Sequence, residues 1–200
     1  MYRRIVRPLL FCLKPETVHL LVAASLRLLF KIPLALSLIK RTLKVHDQRL
    51  HREVFGLTFE SPVGLAAGFD KNAKLIPEMD ALGFGFIEVG TITPLGQPGN
   101  PKPRSFRLPK DGALINRMGF NNLGLKAAAS QLSKRPKGII VGGNIGKNTL
   151  TPNSQAVADY ANVFEGLYPY VDYFVVNVSC PNISNLKELQ ESDELANILS

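Results

Sequence analysis

Gly138-Ile139-Ile140-Val141-Gly142-Gly143-Asn144-Ile145-Gly146-Lys147-Asn148 is the stretch on which the fold turns. An unbroken apolar run over 138–143 gives way at once to amides, glycine and a lysine. A half-solvated antiparallel strand would alternate, whereas a continuous run marks a strand covered on both faces, as in a parallel sheet flanked by helices. The same shape recurs over 63–67, which ends in Gly68-Phe69-Asp70-Lys71, and over 84–91, which ends in Gly90-Thr91. It recurs again over 173–178, followed by Ser179-Cys180-Pro181-Asn182. Helical spacing falls between these runs, near 75–82, 123–132, 155–167 and 186–199. Polar residues at the end of every strand point to a (β/α)8 barrel, whose active site is built from those loops. An open doubly wound sheet would concentrate them at one switch point. Four such units are present where a full barrel needs eight in roughly 250 residues. The expected fold class is therefore α/β, a TIM barrel of which about the first half is in this chain, and the chain is expected to be a fragment of a longer protein.

Outward from these strands, 54–59 alternates before Ser61-Pro62 and reads as a small hairpin entering the domain. The chain before it has a different character. Residues 1–52 carry 11 Lys and Arg against Glu16 and Asp47, a net of +9, while residues 53–200 carry 13 against 14, a net of −1. Two domains are expected: a helical extension over 1–52 and the barrel portion over 53–200. A basic segment seeks an acidic surface, either lipid headgroups or nucleic acid. The apolar content of 20–30 and 32–39 favours lipid and speaks against nucleic acid. Arg27, Lys31 and Pro33 interrupt the run well short of the roughly 20 residues that span a bilayer. Two short amphipathic helices lying in a membrane interface are the expectation, with a helical pair packed on its own domain as the alternative. Cys12 and Cys180 lie in unlike contexts and suggest neither a disulfide framework nor a metal site.

The strand-end motifs hold Asn, Lys, Gly and one thiol. They lack the paired carboxylates of glycoside hydrolysis and any His/Asp/Glu cluster with metal-ligand spacing. Asn amides donate and accept, which suits a planar heterocycle bearing amide and carbonyl groups, and a thiol among them can act as a general base. Asn121, Asn122 and Asn148 equally suit turns, Cys180 could be a small buried hydrophobe, and Lys147 reads as a solvated charge.

Five ordered motifs carry a family resemblance: residues 64–71 (GLAAGFDK), 83–91 (GFGFIEVGT), 98–104 (PGNPKPR), 115–121 (INRMGFN) and 177–182 (NVSCPN), preceded by Pro15-Glu16-x-x-His19. Together they resemble dihydroorotate dehydrogenases over essentially the whole chain. The resemblance implies FMN held by Ala67, Gly68, Phe69, Asp70, Lys71 and Thr91, with Asn144 and Asn177 on its ring. It implies orotate bound by Lys71, Asn116, Arg117, Met118, Gly119, Phe120, Asn177 and Asn182. Cys180 falls at the position of the base that removes the C5 proton of dihydroorotate while hydride passes from C6 to the flavin. The cofactor would do the redox step and the protein would supply orientation and a base.

The extension over 1–52 resembles that of the membrane-associated, quinone-reducing members of the family. This implies peripheral attachment to the cytoplasmic side of a cell inner membrane, with His19 and Arg107 at the quinone's entry. Those members usually carry Ser where Cys180 stands, and Cys is typical of the soluble ones, so a fumarate- or NAD-linked enzyme is the nearest rival. A non-catalytic membrane-surface fragment is the rival from another class. Deleting 1–45 is expected to abolish quinone reduction and to spare flavin reduction by dihydroorotate in the quinone enzyme.

Overall fold

The computed structural model describes residues 1–183 and 185–200. The N-terminal segment is helical: a π-turn at Tyr2–Val6, α1 (Arg7–Phe11), α2 (Pro15–Leu29) and α3 (Pro33–Leu43). Pro15 and Pro33 each stand at a first helical position, where the missing N–H costs nothing. α2 begins before the 20–30 expected from hydropathy and α3 ends after the 32–39, because the polar turns Pro15-Glu16-Thr17-Val18-His19 and Lys40-Arg41-Thr42 continue the helices at those ends. Among the described residues no single helix is long and apolar enough to cross a membrane, and Tyr2–Phe11 meets Pro15–Leu29 at 115°.

A 3-10 turn at Gln48–Leu50 leads into the hairpin of β1 (Arg52–Val54) and β2 (Leu57–Phe59), paired antiparallel as its alternation suggests. Then follow α4 (Ile76–Ala81) and β3 (Phe86–Ile92). Two antiparallel ribbons come next. β4 (Leu95–Gln97) pairs with β7 (Asn122–Gly124), and between them β5 (Ser105–Leu108) pairs with β6 (Ala113–Asn116). The chain continues through α5 (Leu125–Leu132), β8 (Ile140–Ile145), α6 (Ala156–Leu167) and β9 (Tyr173–Val176), and ends with α7 (Ser192–Leu199).

The architecture is mixed α/β. β3, β8 and β9 form a parallel sheet in that order, so each crossover through a helix moves the chain one strand along. Residues 63–67 were expected as a further strand. They contribute one bridge, Leu65 to Ile87, before the chain leaves the sheet for the 68–75 loop, so the first strand is shorter than its hydropathy implies. The 186–199 stretch is likewise divided, because Glu191 is extended (φ −58°, ψ 143°) between a 3-10 turn and α7.

The core lies between sheet and helices. Ile87, Val89 and Ile92 of β3 and Val141 and Ile145 of β8 pack with Met79 of α4, Leu132 of α5 and Val163 and Leu167 of α6, all buried. Spacings such as Tyr160, Val163 and Leu167 put one helical face against the sheet. Burying each large side chain contributes about 1.5–3 kcal/mol.

The N-terminal helices dock on this unit. Ala23 and Leu26 of α2 reach the core. Lys40 of α3 and Lys44, just past its end, bond the buried Asp80 of α4 at 2.7 and 2.9 Å, and Lys44 also meets Glu60 at 3.1 Å. The outer faces stay apolar and open, with Leu28 68% and Leu34 80% exposed. Burial pushes the Asp80 carboxyl up, but the two ammonium groups outweigh it and hold the group below its ordinary value. A depressed carboxylate stabilises the fold above its unfolded pKa and loses that contribution as pH falls through its folded value. Asp80→Asn is therefore expected to cost about 1–3 kcal/mol at neutral pH and nothing in acid. Urea titrations at both pH values check this, and an equal loss at both would refute it.

Candidate functional site

Three strand ends meet at one level. Register places Gly90 of β3 opposite Asn144 of β8, and Asn144 opposite Val175 of β9, two residues before Asn177. Thr91, Asn144 and Asn177 are thereby brought into one network. Thr91 Oγ1 donates to Asn144 Oδ1 (2.6 Å), and Asn177 Nδ2 donates to Thr91 Oγ1 (3.0 Å) and Asn144 Oδ1 (3.2 Å). Asn144 Nδ2 donates onward to Glu88 Oε1 (2.8 Å). Tyr160 holds the end of β9 by donating its hydroxyl to the Asn177 carbonyl (2.9 Å), and burial pushes that phenol up to about 12.

Over this floor opens a cleft of about 490 Å³. Of the residues singled out by sequence, His19, Ala67, Gly68, Lys71, Thr91, Asn116, Met118, Gly119, Phe120, Asn177, Cys180 and Asn182 line it. Residues from five separated segments thus converge, as strand-end loops allow. The Lys71 ammonium donates to the Gly68 carbonyl, and burial lowers its pKa, with Glu16 pulling the other way. The Cys180 thiol is half-buried. Burial pushes it up, partly offset by the Asn182 backbone amide.

Other expected residues sit elsewhere. Asp70 is buried, and its carboxylate accepts from the amides of Lys74 (2.9 Å) and Leu75 (2.7 Å), so it shapes the loop ahead of α4 instead of lining the cleft. Phe69 meets the His19 ring edge-on at 4.8 Å, joining the loop to α2. Asn144 is 5% exposed and acts on the cleft through Thr91 and Asn177. Arg117 donates to the Pro103 carbonyl (3.2 Å). Arg107 reaches the N-terminal segment, donating to the Leu13 carbonyl (2.6 Å) with its guanidinium 4.4 Å from the centre of the Phe11 ring. Lys147, read as a solvated charge, is 2% exposed: the turn after β8 folds it inward, where Nζ donates to the Thr151 carbonyl (2.8 Å). Burial lowers its pKa, opposed by Asp159.

Asn122 and Asn148 behave as turn and cross-link residues. Asn122 accepts from Gly124 N (2.7 Å) and donates to the Phe120 carbonyl (2.7 Å), while Asn148 donates to the Leu95 carbonyl (2.8 Å) and to Gln97 Oε1 (3.0 Å). Asn121 differs. It lines the cleft, and its Oδ1 is buried with no hydrogen-bond partner, an acceptor left unsatisfied by the protein.

Sequence reasoning missed one further pair. Glu16 of α2 lines the cleft and is clasped by Arg104, whose Nη2 and Nε donate to its two oxygens at 2.7 and 3.2 Å. These hydrogen bonds hold the Glu16 carboxyl below its ordinary value. A smaller cavity of about 260 Å³ continues from the cleft along α2, between His19, Leu20, Ala23 and Arg27 on one side and Phe69, Asn72 and Met118 on the other. The first of these walls belongs to the docked helix, so the helix is part of the site. Burial lowers the pKa of His19, and the nearby Lys71 charge lowers it further.

Comparison with known proteins agrees on one family. The family model described as dihydroorotate dehydrogenase matches residues 49–200. A relative from Christiangramia forsetii named dihydroorotate dehydrogenase (quinone) is 56% identical over 200 residues, covering all of this chain and 58% of that protein. One from Coxiella burnetii with the same name is 51% identical, again over all of this chain and 56% of the relative. The crystal structure of DHODH from Eimeria tenella in complex with ferulenol superposes with a TM-score of 0.77 at 40% identity, over 92% of this chain and 49% of that one. The chain thus spans little more than half the length of the curated relatives it matches.

Proposed function

From the premise that this chain belongs to the dihydroorotate dehydrogenase family, we propose that it forms the first part of an FMN-dependent enzyme oxidising dihydroorotate to orotate, with a membrane quinone as final acceptor. The observation that carries this reading is the convergence of Lys71, Asn116, Asn177, Cys180 and Asn182 on one cleft. The fold around it is read as the opening half of a (β/α)8 barrel, residues 53–200, with strands added in sequence order. The residues fit the cofactor and substrate chemically: amides that both donate and accept, the unsatisfied Asn121 Oδ1 and one ammonium suit flat, amide-edged rings. Ala67, Gly68, Lys71 and Thr91 would hold FMN, with Asn144 bracing Thr91 and Asn177 from behind and Phe69 and Asp70 shaping its loop. Asn116, Met118, Gly119, Phe120, Asn177 and Asn182 would hold the substrate, with Arg117 fixing that loop from outside.

When bound, FMN supplies the two-electron acceptor for the hydride leaving C6. Everything else falls to the chain. The Cys180 thiolate takes the C5 proton, Asn177 and Asn182 orient the ring, and Lys71 offsets negative charge developing beside it. Burial raises the thiol above its ordinary value of about 8.5, so the reduction rate should climb with pH beyond the usual thiol range. Cys180→Ser should move that rise higher still, since a hydroxyl ionises later. An unchanged pH profile would sink the assignment of the base.

Residues 1–52 are read as the extension that brings the cleft to lipid, peripherally on the cytoplasmic side of the inner membrane. The net charge of +9 and the open leucines of α2 and α3 support that reading. The cavity along α2 past His19 is the candidate quinone entry, with Arg107 anchoring its neighbouring segment. An anaerobic visible spectrum of the detergent-purified full-length protein tests the whole reading. A flavin band that bleaches on adding dihydroorotate supports it, and one that persists refutes it.

A further inference from the structure

Arg104 does more than neutralise Glu16. Its guanidinium is 6% exposed, with Nη2 and Nε on the two Glu16 oxygens and Nη1 donating to the carbonyls of Pro98 and Asn100. One planar fork therefore ties α2 to the 98–104 loop, the bidentate use for which arginine is suited. That loop touches the substrate-binding segments on two sides. Asn100 N donates to the Met118 carbonyl (3.0 Å), and Asn100 Nδ2 donates to the Asn182 carbonyl (3.3 Å), two residues from Cys180. The Arg104 carbonyl accepts from Arg117 N (2.8 Å), beside Asn116. There is little slack in the joint: a Cβ on Gly99 would lie 2.3 Å from the Met118 carbonyl oxygen and 2.9 Å from Arg104 Nη1. A Cβ on Gly119 would lie 2.8 Å from the Asn100 amide carbon.

We propose that Glu16 and Arg104 are positioning residues for dihydroorotate, transmitting the seat of the N-terminal helix α2 to the loops that carry Asn116–Phe120 and Asn182. The inference rests on the proposed function and adds to it: the N-terminal segment serves the dihydroorotate half of the reaction as well as the acceptor half. Breaking the pair leaves a buried guanidinium short of its counter-charge, and the 98–104 loop must shift to rehydrate it. A displacement of the substrate loop by a fraction of an ångström is enough to spoil alignment of C5 and C6 with the base and the flavin. It follows that deleting 1–45 does not spare flavin reduction, contrary to the expectation from sequence.

The test uses the FMN-loaded full-length protein carrying Glu16→Ala, with Glu16→Gln and Glu16→Asp as milder companions in case the alanine variant fails to fold. Orotate affinity is read from perturbation of the flavin spectrum, the limiting rate from anaerobic reduction, and stability from thermal unfolding. Glu16→Ala should bind orotate about tenfold more weakly and reduce flavin about tenfold more slowly, with Glu16→Gln intermediate and Glu16→Asp closest to the parent. FMN content should be unchanged, because the pair touches the substrate loops. Variants that bind and react within about twofold of the parent while melting earlier would reduce the pair to a structural tie and overturn the proposal. A parent protein that dihydroorotate does not bleach would overturn the functional reading itself, a result distinguishable from failure of the variants.

Discussion

Cys180→Ala is expected to slow anaerobic bleaching by dihydroorotate by about 10²–10⁴-fold, the usual worth of a positioned general base, while orotate affinity stays within about threefold. The reason lies in the other titratable groups that line the cleft. Glu16 is clasped by Arg104 and held low, which makes it a poor proton acceptor. His19 belongs to α2 and rests on Phe69. Lys71 donates to the Gly68 carbonyl, and on the proposed reading its ammonium would be kept to offset negative charge. Cys180 alone stands beyond the end of β9, between Asn177 and Asn182, the amides that on the proposed reading would hold the substrate's ring in reach. Removing its sulfur takes away the proton acceptor and little of the binding surface. Rapid-mixing absorbance at the flavin band separates the two effects, since the dependence on dihydroorotate concentration gives affinity and the plateau gives the chemical step. A variant that keeps its plateau rate would move the base to Lys71 or His19.

The parallel strands and their loaded ends were legible because the apolar runs were long and ended sharply, as at Gly143-Asn144. The pattern found Thr91, Asn144, Asn177 and Cys180 without knowing which strands were neighbours. The two ribbons between β3 and α5 were not legible. β6 is exposed throughout and β4 nearly so, so neither has an apolar face to leave a period in sequence. They are held by backbone pairing and by cross-links such as Asn148, whose amide reads locally as a turn residue.

Residue type by itself does not place a side chain whose role depends on which way a loop turns. Lys147 reads as a solvated charge in sequence, the resemblance puts Asp70 on FMN, and Asn121 suits a turn as well as a ligand. Burial converts Lys147 from a solvent group into a loop anchor, and two backbone amides claim Asp70. Of the two readings open to Asn121 in sequence, turn former or ligand-binding amide, its place in the cleft lining with a buried, unpartnered Oδ1 favours the second. The Glu16–Arg104 pair spans 88 residues of sequence, and nothing local in either residue announces the other.

Gly90→Ala should produce the largest stability loss, about 3 kcal/mol or more, combining backbone strain with overpacking. Gly90 has φ +114°, a region essentially closed to residues with a Cβ. An added Cβ would lie 2.5 Å from the Asn144 carbonyl oxygen and 2.8 Å from Ile92 N, both main-chain atoms of paired strands that cannot rotate aside. The residue is also a junction: its N–H donates to the Asp70 carbonyl (3.1 Å) and its carbonyl accepts from Gly68 N (2.8 Å). Relief of the clash would have to separate β3 from β8 or push away the 68–71 loop, and either movement breaks up the floor on which Thr91, Asn144 and Asn177 meet. Gly112→Ala is the control, because Gly112 also has positive φ (+61°) but nothing lies within 4 Å of an added Cβ. It should cost about 1 kcal/mol, the backbone penalty by itself. Urea unfolding of both variants in the full-length protein gives the comparison. If Gly90→Ala cost no more than Gly112→Ala, the main-chain clash would be absent and β3 and β8 could not pair as closely as described.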